Sequence, residues 1–199
     1  MTTAWGISMD HAISGQQLLE AALSNPVNQA LLQLLPKLDI PACTLTAGCL
    51  FQAVWNRQAG QPADWGIKDY DVFYFDQDVS WEAENQIIER VQRACAHLAS
   101  NIEVRNQARV HLWYEQRFGA PCPRLQSVFD GIDRYLIKAT CVAVDVSSGE
   151  LYSTHGLDEL QQGILRINPL NPHPAMFMRK AQSYQARWPW LKIEIPCTG

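Results

Sequence analysis

The chain has 199 residues, 47% of them hydrophobic and 18% charged, with a formal net charge of −4. That size and balance describe a folded protein with a sizeable core and exclude a disordered chain. The mild acidity gives no support for broad electrostatic binding to nucleic acid, and no apolar run approaches the length of a membrane span.

Residues 8–38 carry a helical pattern. Ser14 is placed to cap a helix running through Leu18, Leu19, Ala22 and Leu23. Asn25-Pro26 then restarts it, with Asn25 as N-cap and proline at the first helical position, and Pro36 ends it. A helical layer over a sheet is expected. Residues 42–46 read as a short buried strand, and 50–57 as a helix, so Gly48 stands at a strand-to-helix junction. A glycine there lets a ligand approach the backbone, and the first N–H groups of a helix attract an anion.

Residues 66–75 follow a loop and are rich in aromatic and β-branched residues, the composition of a strand. Asp69 and Asp71 lie inside it at i and i+2. Alternation points both to one face, roughly 6–7 Å apart along the strand. Two like charges in an apolar run need neutralising, by a divalent cation or by arginine and lysine. Ser80 is placed to cap a helix with an apolar stripe through Ile87, Val91, Cys95 and Leu98.

Residues 101–113 alternate strongly. Read as one strand, they put Ile102, Val104, Ala108, Val110 and Leu112 on one face, with Glu103, Arg105, Gln107, Arg109 and His111 on the other. Beyond an irregular stretch, residues 127–134 suggest a short helix and 138–145 a strand with its hairpin partner at 151–154. Residues 158–165 suggest another helix. A helix from about 174, anchored by Trp188 and Trp190, is expected to dock back on the body.

The order of features is therefore a glycine turn, a strand with two carboxylates, a helix, and a strand opening with Glu103. Three carboxylates suit one or two Mg²⁺ or Mn²⁺ ions, because hard cations take oxygen ligands. A metal pair serves displacement at phosphorus, and a glycine turn suits a triphosphate. The same order, with Ala47-Gly48-Cys49, residues 67–76, 103–113 and Arg187-Trp188-Pro189-Trp190, resembles the polymerase-β-like nucleotidyltransferase superfamily. Within it the chain is similar to a largely uncharacterised branch, over nearly its whole length from about residue 15.

That resemblance implies an α/β (α+β) fold with a mixed central sheet flanked by helices. It implies a single nucleotidyltransferase-like domain over 1–199, with an N-terminal helical layer (about 8–38) and a C-terminal docking helix (about 174–190). Asp69, Asp71 and Glu103 take the metal and catalytic positions, and Gly48 and Cys49 the phosphate turn. Arg105 and Arg109 become candidate phosphate contacts. The implied activity is Mg²⁺-dependent transfer of a nucleoside monophosphate from an NTP to an unknown small-molecule or protein acceptor, with release of pyrophosphate. Nucleic acid is not favoured as partner. The alternative is an inactive nucleotide- or ligand-binding regulatory module of the same fold. The chain departs from the superfamily's usual Gly-Gly or Gly-Ser turn with Gly48-Cys49, and has Glu103 where aspartate is common.

Six cysteines with no Cys-x-x-Cys pair predict free thiols and hence a reducing compartment. Met1-Thr2-Thr3-Ala4-Trp5-Gly6 lacks the layout of a signal peptide, so a cytoplasmic protein is expected.

Overall fold

The computed structural model describes residues 14–195, apart from Ala99 and Ala120. Two capped helices open it. Ser14 Oγ accepts from the Gln17 N–H at 3.2 Å and Gln17 Oε1 accepts from the Ser14 N–H at 2.9 Å, a reciprocal cap on α1 (Gly15–Leu23). Asn25 Oδ1 accepts from the Val27 N–H at 2.9 Å and starts α2 (Pro26–Leu34). The expected helical region before Ser14 lies outside the described residues.

The next elements build a mixed sheet. They are β1 (Thr44–Thr46), α3 (Gly48–Gln58), β2 (Tyr70–Tyr74), α4 (Trp81–Cys95) and β3 (Ile102–Asn106). After a 3₁₀ segment at Gln107–Leu112 come α5 (Tyr114–Phe118) and α6 (Val128–Ile132). The hairpin β4 (Val142–Asp145) and β5 (Leu151–Ser153) then completes the order β3-β2-β1-β4-β5. β2 and β3 are parallel, joined over α4; the other pairs are antiparallel. No described helix is long and apolar enough to cross a membrane.

Register sorts the side chains onto two faces, because directly paired residues share a face. Leu45, Val72 and Val144 lie in one row, with Tyr70, Tyr74 and Val104 on the same side, and all are buried in the main core with residues of α1, α3 and α4. The opposite face carries the row Glu103, Asp71, Thr46, Ala143 and Tyr152. α6 covers only part of it: Val128 and Ile132 form a second, smaller core with Cys141 and Ala143, flanked by Phe73 and Tyr135. The uncovered part is where polar chemistry becomes available.

The chain ends with α7 (Asp158–Gln162), β6 (Ile164–Arg166), α8 (Pro174–Gln185) and β7 (Lys192–Glu194). Ile164 and Leu165 were expected on a helix. Gly163 stops that helix at φ 67°, and Ile164–Arg166 instead pairs in parallel with Lys192–Glu194. A Cβ on Gly163 would also stand 2.2 Å from the Trp190 ring. Lys138–Thr140, expected to begin a strand, is a 3₁₀ turn before β4.

The larger correction concerns residues 101–113, which are not one strand. Asn106 ends β3. Its side chain donates to the Asp76 carbonyl at 2.9 Å and accepts from the N–H groups of Asp76 at 3.1 Å and Ala108 at 3.0 Å. These bonds tie the end of β3 to the loop after β2 and turn the chain into the 3₁₀ segment. Alternation therefore stops at Asn106, and Arg109 is not on the face of Glu103 and Arg105.

Candidate active site

The open sheet face, the start of α3 and the side of α8 enclose a cavity of about 600 Å³, a size that suits a nucleotide or a small organic ligand. Asp69 and Asp71 both line it. Asp71 is on β2, and Asp69 stands one residue before the strand begins. Burial, followed by repulsion from Asp69 and Glu103, pushes the Asp71 carboxyl up to about 7; Lys180 and Arg105 pull the other way. A carboxyl in that state is short of positive charge.

Glu103 pairs directly with Asp71 across the two parallel strands. Its carboxylate lies 3.6 Å from the Arg105 guanidinium, is 37% exposed, and is not among the cavity-lining groups. Among the described residues, no group of three or more His, Cys, Asp and Glu side chains is gathered closely enough to hold a metal ion. Asp69 and Asp71 nonetheless fit a hard divalent cation: two oxygen donors open on one cavity, one of them held high by burial and then by the neighbouring negative charge. Glu103 stands beside this pair, engaged by Arg105.

The turn before α3 is unusual. Ala47 has φ 62° and ψ −139°, a backbone region costly for any residue with a Cβ, of order 1–3 kcal/mol. It aligns the start of α3 with the cavity, whose wall includes Ala47, Gly48 and Gln52. The Ala47 carbonyl accepts from the Leu50 and Phe51 N–H groups, leaving those of Gly48 and Cys49 as the helix-start donors for an anion. A Cβ on Gly48 would stand 2.4 Å from Gln52 Nε2, so the glycine lets Gln52 lie over the turn. Cys49 is not among the cavity-lining residues. Its thiol is fully buried and donates to the Thr46 carbonyl at 3.1 Å, and burial, reinforced by Asp71, drives its pKa far up.

Arg105 lines the cavity; Arg109 does not. The Arg109 guanidinium is in an ion pair with Glu84 at 2.8 Å and donates to the Val79 carbonyl, clamping the 3₁₀ segment onto α4. Glu84 in turn accepts from the Asn106 N–H at 2.9 Å. Trp65, ahead of the aspartates, and Tyr70, between them, are structural: Trp65 packs edge-on to Trp188 and the Tyr70 hydroxyl bonds Asn25.

Lys180 and Tyr135 line the cavity and carry no motif signal. Lys180 on α8 lines the cavity with Asp71, its charge acts to lower the Asp71 carboxyl, and it forms no ion pair among the described residues. Tyr135 shares a 3.1 Å hydrogen bond with the Thr46 hydroxyl, directly beside Asp71 in the sheet, and its pKa is driven far up by burial and then by Asp71. Outside the cavity lining, Arg187, part of the C-terminal motif, donates to Gln52 Oε1 at 3.0 Å and the Gly66 carbonyl at 2.8 Å while lying over the Trp188 ring, and so holds Gln52 at the cavity wall.

Comparison with known proteins adds to this geometry. No curated protein matches the chain. Among solved structures, one described as "The NMR structure of the protein reveals a CCA-adding enzyme head domain" matches with a TM-score of 0.72 and 22% identity. The match covers 94% of this chain and 100% of that one, and shows a shared fold. A family described as Nucleotidyltransferase matches residues 33–193, well over half of the chain and including the whole glycine turn, Asp69-Tyr70-Asp71 and Glu103. The chain belongs to this nucleotidyltransferase family.

Proposed function

We infer that the protein transfers a nucleoside monophosphate from an NTP to an acceptor hydroxyl or similar nucleophile, releasing pyrophosphate, with Mg²⁺ or Mn²⁺ as cofactor. The observation that carries this reading is Asp71. It sits in a 600 Å³ cavity beside a second carboxylate and a helix start, with its own carboxyl held up at about 7. Asp69 and Asp71 would hold the cation. When bound, the cation supplies the charge neutralisation that lets a polyphosphate approach these carboxylates.

The chain's own groups support the remaining tasks. The Gly48 N–H at the cavity wall, with that of Cys49 behind it at the helix start, donates to phosphate oxygens, and Lys180 and Arg105 add positive charge where negative charge would develop on leaving pyrophosphate. The acceptor oxygen attacks the α-phosphorus, the bond between that phosphorus and the bridging oxygen to the β-phosphate breaks, and the acceptor's proton passes to a carboxylate or to solvent. The five described cysteines are free thiols, which fits a reducing cytoplasm as the place of action.

A thermal-shift titration tests the reading. Mg²⁺ with an NTP at millimolar concentration is expected to stabilise the wild type. Asp69→Ala is expected to keep the fold and lose that response. No response from the wild type would sink the reading. The Glu103–Arg105 contact favours a second reading, a binding module without turnover. It predicts stabilisation by nucleotide with no pyrophosphate formed in the presence of any acceptor tried, and no dependence on Mg²⁺ or Mn²⁺.

A further inference from the structure

The cavity is larger than the nucleotide-facing end just described, and its far end is chemically different. Both lining carboxylates stand at the α3 end. The far end is lined by Trp113, Tyr114 and Phe118, whose rings lie 4.6–6.4 Å apart, together with Cys122 and Arg134. No aspartate or glutamate lines this end among the described residues.

Arg134 is held in place through its backbone: its N–H donates to the Gly131 carbonyl and its own carbonyl accepts from Asn171 Nδ2 at 2.7 Å. Its side chain has no such partner. Nε is buried, and neither a hydrogen bond nor an ion pair reaches the guanidinium among the described residues. A buried cationic N–H left unpaired is costly, and the group that satisfies it is an anion. Arg134 is also not among the charges that act on Asp71, whereas Lys180 and Arg105 are. Tyr135 lies between the two ends, with its hydroxyl on Thr46 and its ring beside Phe73.

We propose that the far lobe is an oxyanion subsite in which Arg134 binds the carboxylate or phosphate of a ligand whose flat apolar body lies against Trp113, Tyr114 and Phe118. Its assignment to the acceptor rests on the nucleotidyltransferase reading above. The acceptor class is then a small anionic molecule, and long nucleic acid is not needed to explain the basic side chains. Planar guanidinium suits bidentate contact with either oxyanion.

Cys122 supplies the readout. It lines this lobe and is the described cysteine that is not buried. Its alkylation by iodoacetamide, followed on its own peptide by mass spectrometry, reports occupancy in the intact protein. Benzoate, phenyl phosphate and neutral benzamide are the probes. Expected is slowed alkylation with one or both anions and little effect of benzamide; whichever anion acts at lower concentration names the carboxylate or the phosphate as the natural group. Arg134→Gln should weaken protection about tenfold or more. Equal protection by benzamide, or none by either anion, overturns the proposal, and this comparison needs only the wild type should the variant fail to fold.

Asp71→Asn separates the two readings, since it should abolish the Mg²⁺–NTP response and leave anion protection intact. Wild type that ignores Mg²⁺–NTP but shows anion protection removes the nucleotidyltransferase reading and keeps the oxyanion subsite. Displacement of benzoate by Mg²⁺–ATP, in place of simultaneous binding, assigns the lobe to the nucleotide and overturns the acceptor subsite.

Discussion

Asp71 is a residue whose fold and function pull in opposite directions. Its carboxyl is raised from an ordinary 3.8 to about 7, first by burial and then by Asp69 and Glu103. The folded state therefore holds a proton that the unfolded chain releases between those values. The sign follows: the stability Asp71 contributes is fully present below about pH 4 and is lost as pH rises through about 7. Metal-free wild type should accordingly lose stability between pH 5 and pH 8, by on the order of 2 kcal/mol from this group. Asp71→Asn should flatten that part of the profile and be the more stable protein at pH 8, as measured by urea denaturation. Mg²⁺ with nucleotide should stabilise wild type far more at pH 8 than at pH 6, because only the carboxylate binds a cation. The Asp69-Tyr70-Asp71 pair was legible in the sequence because strand alternation is a local property. Its neighbours Lys180 and Tyr135 were not, since a lone lysine on a helix and a tyrosine in an irregular stretch acquire meaning only when the chain folds over the sheet.

The elements show where a local pattern misleads. Residues 101–113 alternate as a strand would, yet β3 stops at Asn106, because that side chain bonds backbone groups on both sides of the turn. Nothing in polar–apolar alternation reports a side chain that ends a strand in this way. The consequence separates two arginines that looked alike. Arg105 stays on the cavity face, while Arg109 is rotated to Glu84. Arg109→Ala leaves the mostly buried Glu84 without its partner and should cost about 3 kcal/mol in urea denaturation with nucleotide affinity unchanged per folded molecule. Arg105→Ala should do the reverse, with little loss of stability and weaker nucleotide binding. The turn before α3 offers a matching pair. Ala47→Gly removes the cost of φ 62° and should raise stability by about 1 kcal/mol. Gly48→Ala pushes against Gln52, a flexible side chain that can swing aside, so denaturation should change by less than about 1 kcal/mol. The displaced amide loses its bond to Arg187 and moves at the cavity wall, and nucleotide titration should show the weaker binding.

At the scale of the whole molecule, the site is assembled by the last quarter of the chain closing on α3 and the loop after it. Two tryptophans near the C-terminus signalled docking in the sequence, but not where, and β7 was invisible because three residues pairing with β6 carry no periodicity of their own. Trp188 is fully buried in an aromatic cluster, 5.4 Å from Trp55 and 5.6 Å from Trp65, and donates to Asn56 Oδ1 at 3.0 Å. Trp55 and Asn56 belong to α3, the helix whose start lines the cavity. Tyr184, one turn before Trp188, packs on Phe51 and Trp55 of the same helix, and Lys180 lies one turn earlier at the cavity. One apolar seam thus fixes the distance between the start of α3 and the lysine that acts on Asp71. Trp188→Ala removes the largest part of the seam and should cost about 3–5 kcal/mol. It should also weaken nucleotide binding by more than the unfolded fraction explains, because Arg187 and Lys180 lose their support together. Trp188→Phe restores most of the packing but not the bond to Asn56, and should recover most of the stability and most of the affinity. If the alanine variant, still folded in stabilising salt, binds nucleotide as wild type does, the seam serves stability and does not position Lys180.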